Sequence, residues 1–122
     1  MTRLARTAEL MRIAPHVYGA ALAASRDERA AAQVTEGVLS KAAGEYVIDR
    51  DRLVERAILM GVRSQPAPCF AGMDPVARET VALARLAGYS TAQIARSLGI
   101  GSDVVKRSML SALRGDAARA AS

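Results

Sequence analysis

Apolar residues recur at helical spacing along most of the chain. In residues 7–24, Leu10, Met11, Ala14, Val17, Tyr18, Ala21 and Leu22 fall on one stripe opposite Arg6, Glu9 and Arg12, the periodicity of an amphipathic helix. Pro15 is expected to kink or restart that helix. Ser25 and Glu28 have the spacing of a capping box, which opens a second helix through Ala30, Val34, Val38 and Leu39 to about Lys41, with Gly44 at its end. A third helix is expected at residues 49–60, with Leu53, Ala57 and Met60 inward, Arg50, Arg52, Glu55 and Arg56 outward, and Gly61 as its stop. Residues 62–73 hold Pro66, Pro68 and Gly72 and follow no single period, so they read as a linker; Phe70 and Met73 can pack back from it onto a neighbouring domain.

The punctuation is sharper beyond the linker. Asp74-Pro75 is a helix start, a capping carboxylate followed by a proline suited to the first turn, and the helix is expected to reach about Ala87. Gly88-Tyr89-Ser90 breaks it, Ser90 or Thr91 caps a short helix at residues 91–98, and Gly99-Ile100-Gly101 turns the chain. Ser102 or Gly101 caps a last helix at residues 103–113, its inward face being Val105, Met109, Ala112 and Leu113, and the tail after Arg114 is expected to fray. The division is thus a helical domain at 1–61, a linker at 62–73, a helix-turn-helix domain at 74–116 and a tail at 117–122.

The spacing of residues 91–113 is that of a helix-turn-helix. Ala95 is small where the two helices cross, Gly99 supplies the positive φ of the turn, and Ile94, Leu98, Ile100 and Val105 fill the core between the helices. A generic three-helix bundle with a glycine turn is the plainer alternative. In the helix-turn-helix docking mode the last helix enters the major groove of double-stranded DNA. Its solvent face is Ser102, Asp103, Lys106, Arg107, Leu110 and Arg114, while Thr91, Gln93 and Arg96 on the preceding helix are placed to hold the phosphate backbone.

Composition narrows this picture. Of 122 residues, 26 are alanine, 15 are arginine and 3% are aromatic, so the chain is expected to be all-α with thin cores. The net charge of +5 favours anionic partners. Within residues 74–122, seven basic groups oppose four acidic ones, which gives modest nonspecific DNA affinity. Cys69 and His16 are the only residues of their types. They form neither a disulfide nor a zinc set, so no metal and no cofactor is expected. Neither has a sequence-near partner for nucleophilic or acid–base work, and Tyr18, Tyr46 and Tyr89 read as packing residues, so no catalytic site and no enzyme is expected. No apolar stretch approaches the roughly 18 residues of a membrane span, and a cytoplasmic protein is expected.

Residues 78–100 read Arg-Glu-Thr-Val-Ala-Leu-Ala-Arg-Leu-Ala-Gly-Tyr-Ser-Thr-Ala-Gln-Ile-Ala-Arg-Ser-Leu-Gly-Ile, followed by Val105-Lys106 and Ala112-Leu113. This segment resembles region 4 of bacterial sigma factors, most closely the extracytoplasmic-function class. The resemblance implies a domain that reads the −35 promoter element with its last helix and touches the β flap of RNA polymerase. Residues 14–21 and 30–42 are similar to a shortened region 2 of the same class, with Ala30-Ala31-Ala32-Gln33-Val34-Thr35-Glu36 where the family has an acidic polymerase-docking helix. The family's aromatic promoter-melting segment has no counterpart between Tyr46 and Met73. Promoter opening by this chain alone is therefore not expected, since captured bases need stacking partners. Ser108 and Ser111 stand where the family usually carries arginine, Asp103 replaces a small residue and Leu110 a polar one.

The leading expectation is a sigma-factor-like transcription protein that binds promoter DNA, RNA polymerase core or both. Two alternatives accompany it. One is a degenerate sigma-like module whose partner is an anti-sigma factor or another regulatory protein, which Ser108, Ser111 and an exposed Leu110 favour. The other is a small helix-turn-helix regulator that dimerises on a palindromic site.

Overall fold

The computed structural model describes residues 2–121, with side chains as far as Gly115. The described residues form seven helices and no strand: α1 (Arg3–Ser25), α2 (Glu28–Ala43), α3 (Arg50–Ser64), α4 (Pro68–Ala71), α5 (Pro75–Ala87), α6 (Thr91–Leu98) and α7 (Ser102–Ala121). The fold is all-α, as the composition predicts.

Oxygen-bearing side chains start most of these helices. Thr2, Asp27, Asp49, Asp74 and Ser90 stand at the N-caps of α1, α2, α3, α5 and α6, and each accepts a hydrogen bond from a free N–H of the first turn. The cap of α2 corrects the expected Ser25–Glu28 capping box. Ser25 is the last residue of α1 and is buried, and its hydroxyl donates back to the Ala21 carbonyl at 2.8 Å. The chain reverses in two residues, with Arg26 left-handed at φ 56°, so Asp27 takes the capping role and accepts from Ala30 N–H at 2.8 Å.

α1 runs unbroken through Pro15, so of the expected kink or restart the restart does not occur. Pro15 lies on the exposed side of the helix, where water can reach the Met11 carbonyl that loses its N–H partner. The buried stripe of α1 is Ile13, Val17, Ala21 and Ala24, whereas Met11, expected inward, is 71% exposed.

α1, α2 and α3 pack against one another around Ile13, Val17, Ala21, Ala31, Val34, Val38, Ala42, Leu53 and Ala57. Four of these nine are alanines, so the helices approach closely and the core is thin. Gly61 lies where α3 packs tightly on α1. It is expected to end the third helix, but α3 continues through it to Ser64; a Cβ there would lie 3.0 Å from Ala24 Cβ and 3.2 Å from the Ala21 carbonyl oxygen, so the position takes a glycine for lack of space. The glycine serves as a helix–helix contact and not as a stop. Met60, one residue earlier and expected inward, is 41% exposed.

α3 has a second buried face. Ile58, Leu59 and Val62 join Ala24 and a cluster that continues through Ala67, Phe70, Met73, Ala77, Val81, Ala82 and Leu83 to Ile94, Val105 and Ala112. Residues 62–64, expected in the linker, are the last turn of α3, and α4 occupies residues 68–71. Phe70 and Met73 are buried, as packing from the linker allowed. The connection is also fixed by the Ala67 N–H, which donates to the Ala24 carbonyl at 2.9 Å, and by Arg63, which pairs with Glu79 of α5 at 2.6 Å.

The turn between α2 and α3 is held from two sides. The Arg6 guanidinium donates to the Glu45 carbonyl, and Arg56 pairs with the Glu45 carboxylate. That hydrogen bond to Arg56, with further attraction from Lys41 and Arg52, holds the Glu45 carboxyl below its ordinary pKa range. Tyr46 projects from this turn 96% exposed, contrary to its expected packing role.

Candidate nucleic-acid interface

α5, α6 and α7 stand on local signals that the chain spells out. Asp74 accepts from the Ala77 N–H at 3.0 Å, with Pro75 in the first turn of α5. Gly88 closes α5 at φ 69° and Gly99 closes α6 at φ 66°. Nothing lies within 4 Å of a Cβ built at either glycine, so each is required by backbone conformation alone. After Gly99, the Ile100 N–H donates to the Ala95 carbonyl at 3.0 Å, a Schellman closure. Ile94 and Val105 are fully buried between α6 and α7, with Ala95, Leu98, Ile100 and Met109 partly buried around them.

The capping box of α6 is reciprocal. Ser90 Oγ accepts from the Gln93 N–H at 3.2 Å, and Gln93 Oε1 accepts from the Ser90 N–H at 2.8 Å. The Gln93 carbonyl is thereby committed to structure while its amide NH2 keeps two donors, the polarity a phosphate oxygen accepts.

The outward side of α7 carries Ser102, Asp103, Lys106, Arg107, Leu110 and Arg114, all exposed. On α6, Gln93 and Arg96 are exposed and Thr91 is half-buried. Asp103 and Arg107 approach to 3.6 Å on one helix face, an exposed pair worth only about 0.3–0.5 kcal/mol and readily exchanged for another anion. Leu113, expected to face inward, is instead 60% exposed, while Ala112 beside it is buried. α7 also outruns its expected end at residue 113, its backbone remaining helical to Ala121; Ser122 of the expected tail lies outside the described residues.

Four residues beside this surface, Arg52, Glu55, Tyr89 and Ser97, lie outside the set expected from the sequence. Arg52 and Glu55 of α3 meet Tyr89, Gln93, Arg96 and Ser97 in an open cleft of about 310 Å³. The periodicity of α3 places Arg52 outward, but nothing local indicates that α6 lies across from it. Burial raises the Tyr89 phenol to about 12, helped by a hydrogen bond to Glu55 and the charges of Glu55, Asp51 and Asp49, so it remains a protonated donor at neutral pH.

Among the described residues no group of three or more His, Cys, Asp or Glu side chains is arranged to hold a metal ion, and no helix is long and apolar enough to cross a membrane. His16 and Cys69 are both exposed. Compared with protein-family models, curated proteins and solved structures, the chain matches none.

Proposed function

We propose that this chain is a sigma-factor-like transcription protein that binds double-stranded DNA, with α7 in the major groove and α6 across the phosphate backbone. The observation that carries this reading is the pairing of a glycine-closed turn at Gly99 with an exposed α7 face bearing Lys106, Arg107 and Arg114, flanked by Gln93 and Arg96 on α6. Lys106 and Arg107 reach phosphates or guanine edges, Ser102 and Asp103 lie at the groove-facing start of α7, and Leu110 contacts a thymine methyl. The resemblance of residues 78–113 to sigma region 4 supports a promoter as the duplex and RNA polymerase core as the protein partner.

Selection from a random duplex library by the full chain is expected to enrich a single site, and Lys106→Ala is expected to weaken all duplexes similarly and lower the salt slope of binding by about 1. An unchanged slope removes Lys106 from the interface; failure to bind any duplex at low salt overturns the reading.

A second reading is favoured by one observation. Leu113, 60% exposed, borders a groove formed with Val81, Ala84, Met109 and Ala112, and Leu110 on the same helix is 51% exposed, apolar surface of the kind that engages another protein. Affinity capture from the native cells after nuclease treatment separates the two: polymerase subunits support the first, and a regulatory protein without polymerase supports the second.

A further inference from the structure

The cleft between α3 and α6 brings a residue from the first sixty into the DNA-binding face. In a helix-turn-helix the first helix crosses the sugar–phosphate backbone, so side chains that share a cleft with Gln93 and Arg96 lie beside phosphates. Arg52 is such a residue: it lines that cleft with Gln93, Arg96, Tyr89, Ser97 and Glu55. Neither Arg52 nor Arg96 forms an ion pair among the described residues. The Ser97 hydroxyl at the cleft is buried without a hydrogen-bond partner. The lining thus holds two guanidiniums and one carboxylate, Glu55, while the charges of Asp49 and Asp51 reach Tyr89 and that of Glu45 reaches Arg52 from outside it. Beyond Tyr89 the groove turns acidic at Asp51, so the anion-accepting part is confined to the Arg52–Arg96 end.

We infer that Arg52 and Arg96 together clamp a backbone phosphodiester of the bound duplex, which makes α3 part of the DNA interface and fixes how the α1–α3 bundle sits on the DNA. The inference rests on the DNA-binding reading of α6–α7. A guanidinium suits the role because its planar fork holds two phosphate oxygens at once. Contacts of this type position a protein on the duplex without reading sequence.

The test measures binding of the full chain to a fluorescein-labelled duplex across a salt series. Arg52→Gln and Arg96→Gln are each expected to lower the salt slope by about 1 and to weaken binding severalfold at low salt, with Arg52→Lys retaining the slope. Arg50→Gln is the control. It removes the same charge from the same helix, at a side chain that lines a separate cavity with Glu9, Arg12, Ile13 and His16, and is expected to leave the slope unchanged. If Arg96→Gln and Lys106→Ala lower the slope but Arg52→Gln does not, the clamp is overturned and α6–α7 binding stands. Equal effects of Arg50→Gln and Arg52→Gln also overturn it, since the long-range charge of α3 then suffices. A wild-type chain without salt-dependent duplex binding overturns the clamp and the reading beneath it. Circular dichroism melts of each variant separate lost binding from lost folding.

Discussion

Gly61 and Gly99 are the same residue in opposite roles, and they typify the two regions that contain them. Gly99 ends α6 in a left-handed conformation with open space around it. Gly61 sits inside α3, in contact with Ala21 and Ala24 of α1. The first is required by the backbone's own geometry, the second by a neighbour some forty residues away. Region α5–α7 is built largely on devices of the first kind: caps at Asp74 and Ser90, and left-handed closures at Gly88 and Gly99. The α1–α3 bundle depends on close packing of small residues, a property of helix pairs.

The largest expected effect falls where the two regions join. Phe70 lies in the cluster that links Ile58 and Val62 of α3 to Val81 and Leu83 of α5, so Phe70→Ala is expected to destabilise the chain by about 3–5 kcal/mol in denaturant unfolding. A loss near zero would mean that the connection is not part of a shared core. Gly61→Val comes next, at about 1–3 kcal/mol of overpacking against the Ala21 backbone. A stabilised variant would show that α1 and α3 can separate at no cost.

Gly99→Val is expected to cost about 1–2 kcal/mol through the positive φ alone. A neutral outcome would contradict the left-handed turn. The smallest effect concerns Tyr89. Its folded-state pKa is raised to about 12 from an ordinary 10, so between pH 10 and 12 the folded chain holds more protons than the unfolded one. Stability from this group is full below pH 10 and is lost as pH rises through that window. Melting temperatures at pH 9 and pH 11 are expected to differ more for wild type than for Tyr89→Phe; equal differences would contradict the raised phenol pKa.

The same contrast explains what was legible in the chain. The expected bounds of α6 match the structure, and the positive φ of Gly99 and the burial of Ile94 and Val105 were anticipated, because capping and turn signals act within a few residues. In α1, apolar residues occur at Leu10, Met11, Ile13, Ala14, Val17 and Tyr18, so several stripes fit the periodicity, and packing against α2 and α3 selects Ile13 over Met11. Leu113 failed for a related reason: the small Ala112 fills the space beside α5, and Leu113 is left on the rim. The Ser25–Glu28 capping box does not form: the chain reverses at Arg26, which spacing alone does not reveal, and Asp27 caps α2 instead. For the candidate interface, the exposed faces of α6 and α7 follow from periodicity, whereas Arg52 joins them only through tertiary packing.

The most direct measurement is a backbone-amide NMR titration of the full chain with a short duplex. Shifts concentrated at residues 91–96, at residues 102–107 and at Arg52, with α2 unperturbed, are expected if α6, α7 and the Arg52–Arg96 cleft form one DNA-binding face. Shifts confined to α1 and α2, or no shifts at stoichiometric duplex in low salt, would contradict it.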